Sequence, residues 1–244
     1  MMQKVKFGLF ILLFMFSLLA AEDYEQKISR NFDLTANGSI DLSNINGRIE
    51  ISTKSSGPVE VLAVKKSDDK GEIETVDVIF ESLNDNVIIK TKYNKKNTNA
   101  KVDFTVVVPE KLAKAAFKSI NGAVDCSGKF AGLLLKSING RVKFSGEFTS
   151  ASLNTVNGGI RISQEAQLQG DLDVETVNGG IDIEINRNSA FTVDASTVNG
   201  GIRCDFPVTV ERHFVGSSLN GQVNGGGHKL DLETVNGGIS ISKI

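Results

Sequence analysis

From residue 117 onward, apolar and polar residues alternate around a recurring Asn-Gly. Counting from the Asn, the third residue is Val124, Val142, Ile160, Ile181, Ile202, Val223 or Ile239, and the fifth is Cys126, Phe144, Ile162, Ile183, Cys204, Gly225 or Ile241. The fourth is polar throughout: Asp125, Lys143, Arg161, Asp182, Arg203, Asn224 and Ser240. The residue before the Asn is apolar (Ile120, Ile138, Val156, Val177, Val198, Leu219, Val235), and the one before that is Ser or Thr. Alternation of this kind predicts β-strands with one buried face. With an earlier copy at Asn46, the repeated asparagines are Asn46, Asn121, Asn139, Asn157, Asn178, Asn199, Asn220 and Asn236. From Asn121 the steps are 18, 18, 21, 21, 21 and 16 residues, and a near-fixed period of this length predicts stacked repeats.

Asn-Gly between alternating strands is also a strong hairpin signal. A two-residue turn there would set Glu175 opposite Asp182 and Lys136 opposite Lys143, and like charges directly opposed destabilise a strand pair. A hairpin would also turn the apolar residue before each Asn onto the polar face. The pattern instead predicts an all-β parallel β-solenoid, each repeat one coil pairing with the next. On this reading Val177, Gly179, Ile181, Ile183 and Ile185 share an inward face, and the opposite parity of Leu172 and Val174 places a corner near Glu175-Thr176. Equivalent residues then stack, so the asparagines form a structural ladder of hydrogen-bonded amides, and the adjacent glycine permits a tight or positive-φ backbone. Cys126 and Cys204 hold one position in coils four apart, about 19 Å at strand spacing. That is too far for a disulfide, so both are expected to be buried free thiols acting as core residues.

The first part of the chain is less regular. Residues 22–36 are a mixed lead-in. Residues 52–110 carry β-branched runs that predict long strands and hairpins elaborating the first coils, with a turn at Asn84-Asp85-Asn86. Pro109 ends the last of these strands, and polar segments 65–74 and 93–101 are expected to be exposed, mobile loops. The regular coils span 117–244. The copy at Asn220 is degenerate, with Gly225-Gly226-Gly227, and the last copy shows no cap for an exposed edge.

Composition narrows the rest. Lys4 and Lys6 precede an apolar run, Phe7 to Leu19, and Ala20-Ala21 suit cleavage. Residues 1–21 therefore read as a signal peptide, too short in its apolar part to span a bilayer. Residues 22–244 then form a single exported domain with no membrane span. A net charge of −2 with interspersed signs offers no basic patch for nucleic acid. Twenty-four glycines, three prolines and no tryptophan suit a β chain with many corners. Chemistry is sparse. The two histidines, His213 and His228, lie in loop-like stretches and read as solvated surface residues. No zinc spacing, nucleophile elbow or phosphate loop appears, so no catalytic residue, metal or cofactor is expected. The alternating signs of Asp125, Lys143, Arg161, Asp182 and Arg203 suit a solvated sheet face.

An export signal, an elaborated β region ending in Val108-Pro109, and repeated Ser/Thr-Val-Asn-Gly-Gly-Ile coils over residues 35 to 244 resemble the bacterial putative adhesins. The long gap between Asn46 and Asn121 agrees with that family's pattern. The resemblance implies a right-handed single-stranded β-helix of unknown function and carries over no catalytic residue. The expectation is a non-enzymatic periplasmic, surface or extracellular protein that binds or scaffolds through repetitive sheet faces, with a glycan or matrix protein as partner. A glycan-binding or glycan-degrading β-helix enzyme is one alternative, which a groove of clustered charges would favour. An envelope-stress accessory protein is another.

Overall fold

The structure, a computed structural model, describes residues 24–110, 112–212 and 216–244; the expected signal peptide lies outside them. It is an all-β solenoid whose coils each contribute to two facing sheets. Before each corner lie β2 (Ser39–Asn46), β8 (Lys114–Asn121), the second halves of β9 (Val124–Asn139) and β10 (Val142–Asn157), β12 (Asp171–Asn178), β14 (Phe191–Asn199) and β18 (His228–Asn236). After it lie β3 (Ile49–Lys54), the first halves of β9 and β10, β11 (Ile160–Gln164), β13 (Ile181–Ile185), β15 (Ile202–Cys204) and β19 (Ile239–Lys243). Strands flanking one corner belong to opposite sheets. Each pairs in parallel with its equivalent in the next coil, as in Asn139↔Asn157 and Val142↔Ile160, so the corner is not a hairpin.

Side-chain parity reverses at the Asn-Gly corner itself. Leu172, Val174 and Thr176 point inward before it, and Ile181, Ile183 and Ile185 after it. This corrects the inward face expected from sequence: Val177 and its equivalents lie outside, and no corner exists at Glu175-Thr176. The core is a set of stacked columns. Phe117, Leu135, Leu153, Val174, Leu232 and Ala195 from one sheet face Val124, Val142, Ile160, Ile181, Ile239 and Ile202 from the other, all buried. Phe130, Phe144 and Phe148 pack edge to face where the 18-residue coils bend.

The coils do not stack in chain order. β18 lies between β12 and β14, with Asp231 in register with Asp173 on one side and Asp194 on the other. Likewise β19 lies between β13 and β15. The last coil of the chain is thus inserted between the two before it. The outer edge of β14 is instead covered by antiparallel β17 (Ser217–Val223), which β16 (Val210–Arg212) covers in turn. Asn220 therefore sits opposite Asp194 in an antiparallel strand and is no rung of the ladder. The chain reverses after it through positive-φ residues Asn224 to Gly227. Phe206 closes this end against Phe191, at 5.1 Å.

The other end is closed by residues 24–110. β5 (Val76–Leu83) and β6 (Asn86–Tyr93) form a hairpin whose two-residue turn, Asn84-Asp85, has positive φ at both positions, the geometry that matches strand twist. β6 extends the first sheet beyond β2. β7 (Lys101–Pro109) extends the second beyond β3, and antiparallel β4 (Val59–Ser67) and β1 (Tyr24–Phe32) follow. The lead-in thus contains an edge strand. The segment expected to be a loop over 65–74 holds the buried end of β4 and a short helix, α1 (Lys70–Ile73), capped by Asp69. Segment 93–101 is tied down by Glu72, which accepts from the Asn99 amide at 2.9 Å; that bond above all lowers the Glu72 pKa.

Candidate binding face

The repeat builds three structural columns and one exposed one. At the corner, amides link in a single sense: Asn121 donates to Asn46, Asn139 to Asn121, Asn157 to Asn139, Asn178 to Asn157, Asn236 to Asn178 and Asn199 to Asn236, at 2.8–2.9 Å. Two residues earlier, a buried hydroxyl donates to a glycine carbonyl of the neighbouring coil: Thr155 to Gly140, Thr176 to Gly158, Thr234 to Gly179 and Thr197 to Gly237, at 2.8–3.0 Å. In the first coil Asn44 takes this place, donating to Val102 O at 2.7 Å. Gly47, after Asn46, has φ +116°, but the glycine after every other ladder Asn is set by close approach rather than by positive φ. A Cβ on Gly179 would lie 1.9 Å from the Gly158 carbonyl oxygen, and one on Gly237 1.9 Å from that of Gly179. The second glycine has room, and Arg48, Ala123 and Arg141 stand there in other coils.

The residue before each Asn has no such structural duty. Ile120, Ile138, Val156, Val177, Val235 and Val198 are 40–48% exposed, and half-buried Ile45 extends the row. In spatial order they form an unbroken β-branched stripe along the outside of the first sheet. Isolated exposed apolar residues are ordinary, but a contiguous row marks an interaction surface. Two residues upstream runs a second outward column: Ser43, Lys118, Lys136, Asn154, Glu175, Glu233 and Ser196. The two columns line a shallow groove of about 880 Å³. Apolar alternation alone assigned the stripe to the core; its signal is that the buried Ser/Thr and the residue after it cannot both face inward.

The second sheet presents a different outer surface. Asp125 holds Arg48 at 2.7 Å and Arg141 at 3.2 Å, and Arg161 reaches Asp182 at 3.7 Å. Ser240 separates Asp182 from Arg203, because the last coil intervenes. This face is a solvated ion-pair lattice of small energetic weight.

Cys126 and Cys204 are free thiols. The inserted coil makes them five strand spacings apart, about 24 Å, rather than four. Cys126 is buried, but Cys204 is only half-buried, since β15 ends the parallel stack. Burial pushes both thiols above their ordinary pKa, which leaves neither primed as a nucleophile. His228 is exposed, 3.6 Å from Asp171, and His213 lies outside the described residues. Among the described residues no group of three or more His, Cys, Asp or Glu could hold a metal ion, and no helix is long and apolar enough to cross a membrane.

Two facing sheets of stacked coils, with an invariant corner and an apolar outer stripe, define a β-solenoid of repeated Asn-Gly units. Residues 34–242 match the family described as Toastrack DUF4097, and the chain belongs to that family. Among solved structures, a putative cell adhesion protein from Clostridium sporogenes ATCC 15579 is similar at TM-score 0.55 and 9% identity, covering 91% of this chain and 100% of that one. A putative adhesin from Bacteroides fragilis NCTC 9343 is similar at TM-score 0.41 and 16% identity, covering 90% and 97%. The first shows a shared fold. No curated protein matches the chain.

Proposed function

We propose that this is a non-enzymatic, exported bacterial protein that binds or scaffolds at the cell envelope through the outer face of its first sheet. The observation that carries the reading is the exposed stripe from Ile45 to Val198 beside its groove. Seven β-branched side chains face solvent where the sheet needs only polar ones, and their stacking owes nothing to the core. The N-terminal Lys4, Lys6 and Phe7–Leu19 support export. The putative cell adhesion protein from Clostridium sporogenes, which shares the fold, points the same way. Rigid repetition suits polymeric or multivalent partners such as a glycan or matrix protein, because solenoids present extended surfaces.

The test compares the native protein with Val156→Lys on an array of glycans and matrix proteins and on intact cells. Position 156 is exposed, so the variant should melt within about 2 °C of the native protein. Binding should fall at least about tenfold, the change made by 1.4 kcal/mol, while Arg161→Glu on the opposite face leaves it intact. Equal binding by Val156→Lys, or loss only with Arg161→Glu, would place the function elsewhere.

A further inference from the structure

We propose that the partner of this face is a second copy of the same chain, docked stripe to stripe with its coil stack running the opposite way. The proposal rests on the reading of this face as the binding surface and names its occupant. What carries it is the charge order of the column beside the stripe. Taken in stacking order, the basic residues Lys118 and Lys136 lie on one side of Asn154, and the acidic residues Glu175 and Glu233 on the other.

A two-fold axis parallel to the strands, passing through the Asn154–Val156 rung, reverses the stack and keeps each column facing itself. Lys136 of each copy then faces Glu175 of the other, and Lys118 faces Glu233. Along the stripe the same axis sets Ile138 against Val177, Ile120 against Val235 and Ile45 against Val198, with Val156 meeting itself. The larger side chain meets the smaller at every rung but the central one. Such self-complementarity is what an isologous interface requires. Sliding by one rung breaks both pairs and leaves a single kind, Lys118 with Glu175 one way or Lys136 with Glu233 the other, and a parallel stack sets Lys against Lys. Lys136 and Glu233 make no ion pair among the described residues, whereas Lys118 already touches Asp41 at 2.6 Å. That contact shields Asp41, whose symmetry neighbour is Asp194. The acidic column beyond, with Asp173 and Asp231, falls outside the groove.

The stripe spans six strand spacings, roughly 29 Å, so the buried area is small and the association weak. Weak pairing repeated across two opposed arrays gains by avidity, which suits homophilic contact between surfaces.

The test is sedimentation equilibrium on the protein as purified from cells that export it, from about 10 µM to about 500 µM, a range chosen for a small interface. The native protein should dimerise reversibly. Lys136→Glu and Glu175→Lys should each weaken dimerisation at least about tenfold, and the double variant should restore it to within about threefold, as a charge reversal does for a direct pair. Both positions carry exposed side chains, and unchanged circular dichroism confirms folding. A native protein that stays monomeric throughout overturns the proposal, as does a dimer indifferent to the single changes or not rescued by the double one. If the native protein is monomeric yet Val156→Lys still loses array or cell binding, the second copy is the wrong partner and the face is the right one. If Val156→Lys changes neither property, both readings fall.

Discussion

The glycine that follows each ladder asparagine is the least replaceable residue of the repeat. Its neighbour in the stack presents a backbone carbonyl where a Cβ would sit, and that carbonyl also accepts the buried Thr hydroxyl. Gly179→Ala must separate two coils that are hydrogen-bonded on both flanks, whereas at Gly180 the nearest atom to a new Cβ is 3.3 Å away. Gly179→Ala is therefore expected to cost about 3 kcal/mol or more, and Gly180→Ala to stay within about 0.5 kcal/mol. In thermal unfolding the first should lower Tm by roughly 6–12 °C and the second hardly at all; equal shifts would refute the close-approach account. The invariance of this glycine beside a variable second one was legible in the sequence. The sense of the preceding Val was not. An apolar residue is assigned inward by default, and only the buried Ser/Thr column, hydrogen-bonded across coils, forces it outward.

The strand that the rest of the C-terminal half depends on is β18. It is the last long strand made, yet it is hydrogen-bonded along both edges, to β12 and to β14. The residues that set register there are the same in four coils: Thr-Val-Asn-Gly-Gly-Ile occurs at 155–160, 176–181, 197–202 and 234–239. Identical repeats cannot encode which neighbour each takes, which is why spacing revealed the coils and not their order. Subtler residues do mark the end coil. Ala195 is small where other coils carry Leu, Val or Phe, and Phe206 closes over Phe191. Without residues 228–244, β14 loses its parallel pairing with β18, and β17, held antiparallel on β14, loses its link to the body of the solenoid with it. In hydrogen exchange on that truncated chain, amides of 191–199 and 217–223 are expected to lose protection together, while β8, β9 and β10 keep theirs. Retained protection at β14 would mean that it docks directly on β12.

Seen entire, the molecule is a stack with managed ends and two unlike faces. At one end the β5–β6 hairpin and strands β7, β4 and β1 cover the first coil; at the other, β17 and β16 cover β14. These strands cover the first sheet at both ends, although β15, β1 and β16 each keep one edge without a strand partner among the described residues. One face is an ion-pair lattice around Asp125; the other is the apolar stripe with its graded charges. The architecture was legible from the Asn-Gly period, and the family confirms it. The face was not, because its unbroken length depends on the inserted coil: Val235 fills the rung between Val177 and Val198, and Glu233 lies beside Glu175 on the acidic side.

The stacking order is therefore the claim on which both the stripe and its charge order depend, and paired cysteines read it directly. In a Cys126→Ala, Cys204→Ser background, Glu175→Cys with Glu233→Cys, Glu233→Cys with Ser196→Cys, and Glu175→Cys with Ser196→Cys are oxidised and mapped by mass spectrometry. Adjacent strands lie about 4.8 Å apart, within disulfide reach, and strands two apart about 9.6 Å, beyond it. The account predicts intramolecular bridges at 175–233 and 233–196 and none at 175–196. A bridge at 175–196, with none at 175–233, would restore sequential stacking and contradict it.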